Sequence, residues 1–167
     1  GHPLHTLISE HEFILNFLQE LEDLNSFFQK ASSVDGNGEE IKKLENITEH
    51  LVGAEPHHQR EEEVLFPEIE ERGVLGPPEV MKREHETLKR YKKELKDIVN
   101  NFDNIDFADF KKKLKDVSQN LVLMLREHIS KENDILYPMA LQVIPEENLW
   151  REIKKKCDKI GYCCFTP

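Results

Sequence analysis

His57-His58-Gln59-Arg60-Glu61-Glu62-Glu63-Val64-Leu65-Phe66-Pro67 decides how this chain folds, because its pattern returns 71 residues later as His128-Ile129-Ser130-Lys131-Glu132-Asn133-Asp134-Ile135-Leu136-Tyr137-Pro138. Both copies read His, three residues, Glu, then an aliphatic residue, Leu, an aromatic residue and Pro, a match too long to be accidental. Each copy also has a His-Glu pair upstream: His11-Glu12 lies 46 residues before His57, and His85-Glu86 lies 43 residues before His128. The chain is therefore a twofold internal repeat. Each unit supplies one lone His, then a His and a Glu one helical turn apart. Together these are six side chains, His11, His57, Glu61, His85, His128 and Glu132, of types that suit a pair of metal ions.

Working outward, apolar residues at 4, 7, 8, 14, 15, 18, 21, 24 and 28 keep the helical period, and His11 fills the gap in that stripe. After the breaker Val34-Asp35-Gly36-Asn37-Gly38, positions 41, 44, 47, 51, 54, 57, 61, 64 and 65 form a second stripe that contains His57 and Glu61. Gly73 through Pro78 is the next breaker, and Pro77-Pro78 suits the start of a helix with the inner face 81, 85, 88, 92, 95 and 99. Beyond a loop at Asn100 to Asp106, positions 107, 110, 114, 117, 121, 124, 125, 128, 132, 135 and 136 make the fourth stripe. No segment sustains the period-two alternation of a strand. Four helices of about 22 to 36 residues with short connections predict an all-α, antiparallel up-down-up-down four-helix bundle over residues 1–142. A short fifth helix, about Glu146 to Ile160, is expected across one end, within a C-terminal helix and tail at 143–167.

Residues at i and i+4 share a helix face, so His57 with Glu61 and His128 with Glu132 can each aim two ligands into one cavity, with His11 and His85 entering from facing helices. A single His on an apolar face, or a single His-x-x-x-Glu, is ordinarily structural. Four such His, one per helix, beside two core-facing carboxylates are another matter, since buried ionised Glu is heavily penalised unless paired or bound to metal. Imidazole with carboxylate suits iron, manganese or zinc, and the lack of thiolate in the cluster argues against a zinc finger.

The net charge of −10 excludes a nucleic-acid backbone as partner, and the runs Lys111-Lys112-Lys113 and Lys154-Lys155-Lys156 read as solvated faces. No apolar run reaches membrane-span length and no secretory signal opens the chain, so the expected location is cytoplasmic. Cys157, Cys163 and Cys164 do not make a disulfide framework and have poor zinc-site spacing. High Glu and Lys with little Gln hints at a thermophilic source. The segment Gly161 to Pro167 reads as the start of a connection to a further domain of a longer chain. No Ser-His-Asp set, phosphate loop or dinucleotide fingerprint is present.

From Gly1 to about Gln142 the chain resembles the hemerythrin-like, or HHE cation-binding, domains. The resemblance is carried by His11-Glu12, by His57 and Glu61 with Leu65-Phe66-Pro67, by His85-Glu86, and by His128 and Glu132 with Leu136-Tyr137-Pro138. It implies a four-helix bundle around two non-heme iron ions, with His11 and His57 on one, His85 and His128 on the other, and Glu61 and Glu132 bridging. The chain departs from the oxygen-carrying members at Met81, where they place a further His. Counting coordination places then leaves an opening on each iron, unless His58, Glu62 or Met81 fills one. The Leu-aromatic-Pro ends are expected to terminate the ligand helices. His50 is expected to be a core group or to support a ligand, and His2 and His5 to be solvated or capping. The function implied first is a module that binds or senses oxygen, nitric oxide or iron, meeting a small gaseous or anionic ligand and reporting to a signalling domain in the same longer chain. The second is a di-iron oxidase or a nitric oxide or peroxide scavenger, although ferritin-like oxidases use Glu-x-x-His motifs instead. A structural zinc or mixed-metal bundle without redox chemistry is the third.

Overall fold

In the computed structural model, which describes all residues Gly1–Pro167, the four stripes become four rods. The first is α1, Pro3–Lys30. Its first turn is capped by His2, whose Nδ1 accepts the N–H of Leu4 at 3.2 Å, and Pro3 sits where its missing N–H is harmless. Leu4, Leu7, Ile14, Leu18, Leu21, Leu24 and Phe28 are buried along one face, with His11 among them.

The second rod is not the single helix its stripe predicts. It runs as α2, Glu39–Val52, then a break at Gly53 and Ala54, then α3, Glu55–Arg60. Pro56 is the cause: it has no N–H for the carbonyl of Val52, and its ring crowds that carbonyl. A second expectation also fails, because Leu65-Phe66-Pro67 does not end the rod. The Phe66 N–H reaches back five residues to the Glu61 carbonyl, giving a π-helical turn over Glu61–Leu65, and α4 continues through Phe66–Glu70. The wider turn makes room for a proline ring that would clash with a regular helix. The other copy does the same: Tyr137 N–H bonds the Glu132 carbonyl across a π-turn at Glu132–Leu136.

Gly73, with φ of 87°, turns the chain after α4, and α5, Gly76–Asn100, opens on Pro77-Pro78 as expected. The fourth rod is α6, Phe107–Lys131, then its π-turn, then α7, Tyr137–Val143. Cross-rod pairs give the directions. Glu49 pairs with Lys96, Glu55 with Lys89, Glu62 with His85, and Glu70 with Lys82, one number rising as the other falls. Likewise Phe28 meets Phe110 while Glu22 meets Arg126. Glu10 with His57 and Phe17 with His50 set rods one and two the same way, so successive rods run antiparallel. Helix α8, Glu147–Ile160, closes one end, burying Trp150, Ile153 and Cys157 against Leu4, Leu7, Met81 and Leu136. A separate, larger apolar cluster fills the other end of the bundle, and the polar residues of both motifs lie between the two. No helix is long and apolar enough to cross a membrane.

One residue of the α5 stripe contradicts its setting. Lys92 is only 3% exposed and makes no ion pair, so burial, the largest influence, pushes its amine down to about 8. The unfolded chain thus binds the extra proton between about 8 and 10.5; stability rises with pH across that window, and the full penalty applies below it. Lys92→Met should therefore stabilise the protein at pH 7 by roughly 1 to 3 kcal/mol and abolish that rise. Chemical denaturation of both proteins at pH 7 and pH 10 checks this, and a less stable Met variant at pH 7 refutes it.

Candidate metal centre

All six side chains singled out in the repeat converge on one buried site, and none is more than 4% exposed. They arrive as two imidazole pairs. His11 from α1 and His57 from α3 bring their Nε2 atoms to 3.1 Å, and His85 from α5 and His128 from α6 bring theirs to 3.0 Å. The other ring nitrogen of each is already committed. Nδ1 of His57 lies 2.7 Å from Glu10 Oε2, that of His11 2.8 Å from Asn133 Oδ1, that of His85 2.7 Å from Glu62 Oε1, and that of His128 3.1 Å from Glu84 Oε1. These oxygens accept and do not donate, so each neutral imidazole keeps its proton on Nδ1 and points a lone pair from Nε2. Two facing lone pairs repel at these separations unless a positive charge lies between or beside them.

The two carboxylates tie the pairs together. Glu132 places Oε1 2.8 Å from His128 Nε2 and Oε2 3.1 Å from His11 Nε2. Glu61 places Oε1 3.6 Å from His57 Nε2 and Oε2 3.4 Å from His85 Nε2. Each carboxylate therefore spans both imidazole pairs. The result is two four-residue sets, His11, His57, Glu61, Glu132 and Glu61, His85, His128, Glu132, each with its ligand atoms within 4.8 Å of one another. Tyr137 donates its hydroxyl to Glu61 Oε1 at 2.5 Å, but Glu61 Oε2 and both oxygens of Glu132 are buried with no hydrogen-bond partner. The short contact between Glu132 and His128 is no exception, since an acceptor oxygen there faces a ring nitrogen whose proton sits on the far side. Orphaned oxygens among lone pairs are what two shared cations would satisfy, and nitrogen with carboxylate oxygen is a donor set for iron, manganese or zinc.

The partners that hold the imidazoles form a deeper repeat than the ligands suggest. Glu10 and Glu84, each immediately before a lone His, hold the Nδ1 of His57 and His128. Arg60 and Lys131, each three residues after the second His, neutralise them: Arg60 Nη2 lies 2.6 and 2.7 Å from Glu10, and Lys131 Nζ 2.7 and 2.5 Å from Glu84. Glu62 and Asn133, each following a bridging Glu, hold the lone His of the opposite unit. Tyr137 and Phe66 stack on His11 and His85 respectively. Sequence reasoning missed these supporting residues, yet the signal was present in Glu10-His11-Glu12 and Glu84-His85-Glu86, identical tripeptides, and in a cation at the same offset in both motifs. Such outer partners fix ring orientation and ligand basicity.

The repeat is not symmetric. Glu10 is wholly buried whereas its counterpart Glu84 is 15% exposed, and Glu62, the counterpart of Asn133, borders a cavity of about 390 Å³ that opens beside His85. His58 also lines this cavity, its ring stacked on His85 at 4.0 Å and 16°. Its nitrogen lies within 4.8 Å of those of His85 and His128, but two rings stacked face to face cannot both aim an in-plane lone pair at one ion. Burial, then the charges of His85 and Lys92, push His58 well below the usual imidazole range, so it is neutral. Glu62 is engaged by His85, and Met81 packs in the apolar cluster under α8. His50 stacks on Phe17 at 4.8 Å, remote from the imidazole pairs, while His2 caps α1 and His5 is exposed.

The Hemerythrin HHE cation binding domain matches residues 2–140. The chain belongs to that family. No curated protein matches it. Family membership makes this HHE domain a cation-binding helical module, and the sets above are the residues fitted to that task.

Without metal the carboxylates must find their positive charge in protons. Burial alone would lower His85, but Glu132, Glu61 and Glu62 outweigh it and hold the imidazole at about 11. A raised folded value means stability that is complete below 6.5 and lost as pH rises toward 11. The metal-free protein should therefore unfold progressively more easily from pH 6.5 to about 8, above which the opposite contribution of Lys92 offsets part of the loss, and the metal-loaded protein should not. Denaturation with and without chelator at pH 6, 7.5 and 9 measures this. Chelated protein as stable at pH 9 as at pH 6 would contradict it.

Proposed function

We propose that this domain binds two non-heme iron ions and uses them to sense a small uncharged molecule, oxygen or nitric oxide. One observation carries the reading: four imidazoles, each with Nδ1 fixed, aim Nε2 at two buried carboxylates that have three unpartnered oxygens among them. His11 and His57 would hold one ion, His85 and His128 the other, and Glu61 and Glu132 would be shared. The HHE family and the nitrogen and carboxylate donors favour iron, while zinc or manganese would use the same ligands. A pair of irons supplies redox chemistry and a place for a diatomic ligand.

The rest is the work of the chain's own residues. The cavity beside His85 is lined by Glu55, Glu62, Glu63 and Glu86 against the single cation Lys89, so its mouth repels small anions and admits uncharged molecules. At its floor, His58 is neutral, 4% exposed and without a hydrogen-bond partner, free to donate to a small molecule arriving there. An oxidase of organic substrates gains less from this cavity, because none of its eight lining residues is hydrophobic and such substrates need apolar walls.

Metal analysis with optical spectra tests the proposal. The expected result is two irons per chain and a reduced form whose spectrum changes on exposure to oxygen or nitric oxide, with azide acting only slowly. A colourless zinc protein, indifferent to all three, would refute it in favour of a structural metal bundle.

A further inference from the structure

Residues Gly161–Pro167 lie beyond the family match, yet they are seated directly on the partners of one imidazole pair. Gly161, at φ 96° and ψ −173°, a backbone conformation almost confined to glycine, turns the chain back over the bundle after α8. Cys163 is then buried in the larger apolar cluster, and Phe165 packs edge-on against Phe17 at 5.2 Å. The Arg60 guanidinium lies 4.7 Å over the Tyr162 ring. Thr166 completes the contact: its hydroxyl donates to Glu10 Oε1 at 2.5 Å, while Glu10 Oε2 accepts from His57 Nδ1 at 2.7 Å.

We propose that Thr166 is a positioning residue for His57, and that docking of the 161–167 segment is linked to cation binding at the His11 and His57 pair. Three donors, from Arg60, Thr166 and His57, hold the Glu10 carboxylate in one orientation, and that carboxylate sets the plane of the His57 ring. A cation on Nε2 withdraws charge from the ring and makes Nδ1–H a stronger donor to Glu10. Cation binding therefore favours the arrangement in which Glu10 is anchored on its other oxygen by the tail. By reciprocity, a docked tail strengthens cation binding at this pair to the same extent. The second pair has no such contact, for Glu84 is held by His128 and Lys131 alone. The effect is thus confined to one of two ions, and it turns the tail into an element that reports occupancy. This inference rests on the reading of His57 as a ligand.

The experiment is an anaerobic titration of the full chain with cobalt(II), followed by its visible absorption, together with amide hydrogen exchange of residues 161–167 with and without cobalt. Thr166→Val should weaken one of two binding events roughly tenfold, as loss of an outer partner does, and leave the other unchanged. Thr166→Ser should restore it. Cobalt should slow exchange in the tail of the native protein, and less so in Thr166→Val. The inference is overturned if Thr166→Val binds both ions as the native chain does, if both events weaken equally alongside a lower Tm, or if tail exchange ignores cobalt. His57→Ala separates the two layers. Native binding of two ions by that variant would sink the ligand reading itself, whereas loss of one ion there with none in Thr166→Val would sink only the coupling.

Discussion

Glu61 and Glu132 are buried between facing imidazole lone pairs, and three of their four oxygens have no protein donor. Taking two carboxylates out of water costs several kcal/mol each, more than a single bond from Tyr137 to Glu61 returns. A bundle of this size can carry that cost because the apolar clusters on either side supply folding energy, and cations held among these donors would offset it further. The rest of the architecture serves this arrangement. Four antiparallel rods place one imidazole each at a common height, and α8 shuts the end where Leu4, Leu7 and Met81 would otherwise meet solvent.

Prolines one residue past an aromatic ring shape the helices at the bridging carboxylates. Pro67 and Pro138 cannot sit in a regular α-helix, and the π-turns that absorb them begin at Glu61 and Glu132. A π-turn shifts the phase of the residues after it, and past Glu61 and Glu132 that shift leaves Phe66 and Tyr137 against the imidazoles. The two halves of the repeat then diverge. One imidazole pair is sealed by Glu10, Arg60 and the C-terminal segment, and the other stands beside an acidic cavity with His58 on its floor.

Helical period and the doubled motif made the four rods and the six inward side chains legible in the sequence, because burial on one helix face leaves a one-dimensional trace. The break at Pro56 and the π-turns left no such trace: apolar spacing tolerates both, and a proline reads as a stop unless the geometry that absorbs it is known. Glu10 and Glu84 were hidden for a different reason. Charged residues beside a ligand look like solvated surface until the fold shows what they touch, as Thr166, on a segment read as a connection, also illustrates.

Anomalous X-ray diffraction from crystals of the metal-loaded protein tests the central claim most directly. The account predicts two peaks, one at the His11 and His57 nitrogens and one at those of His85 and His128, with Glu61 and Glu132 contacting both. A single peak, or density placed away from these two carboxylates, would contradict it.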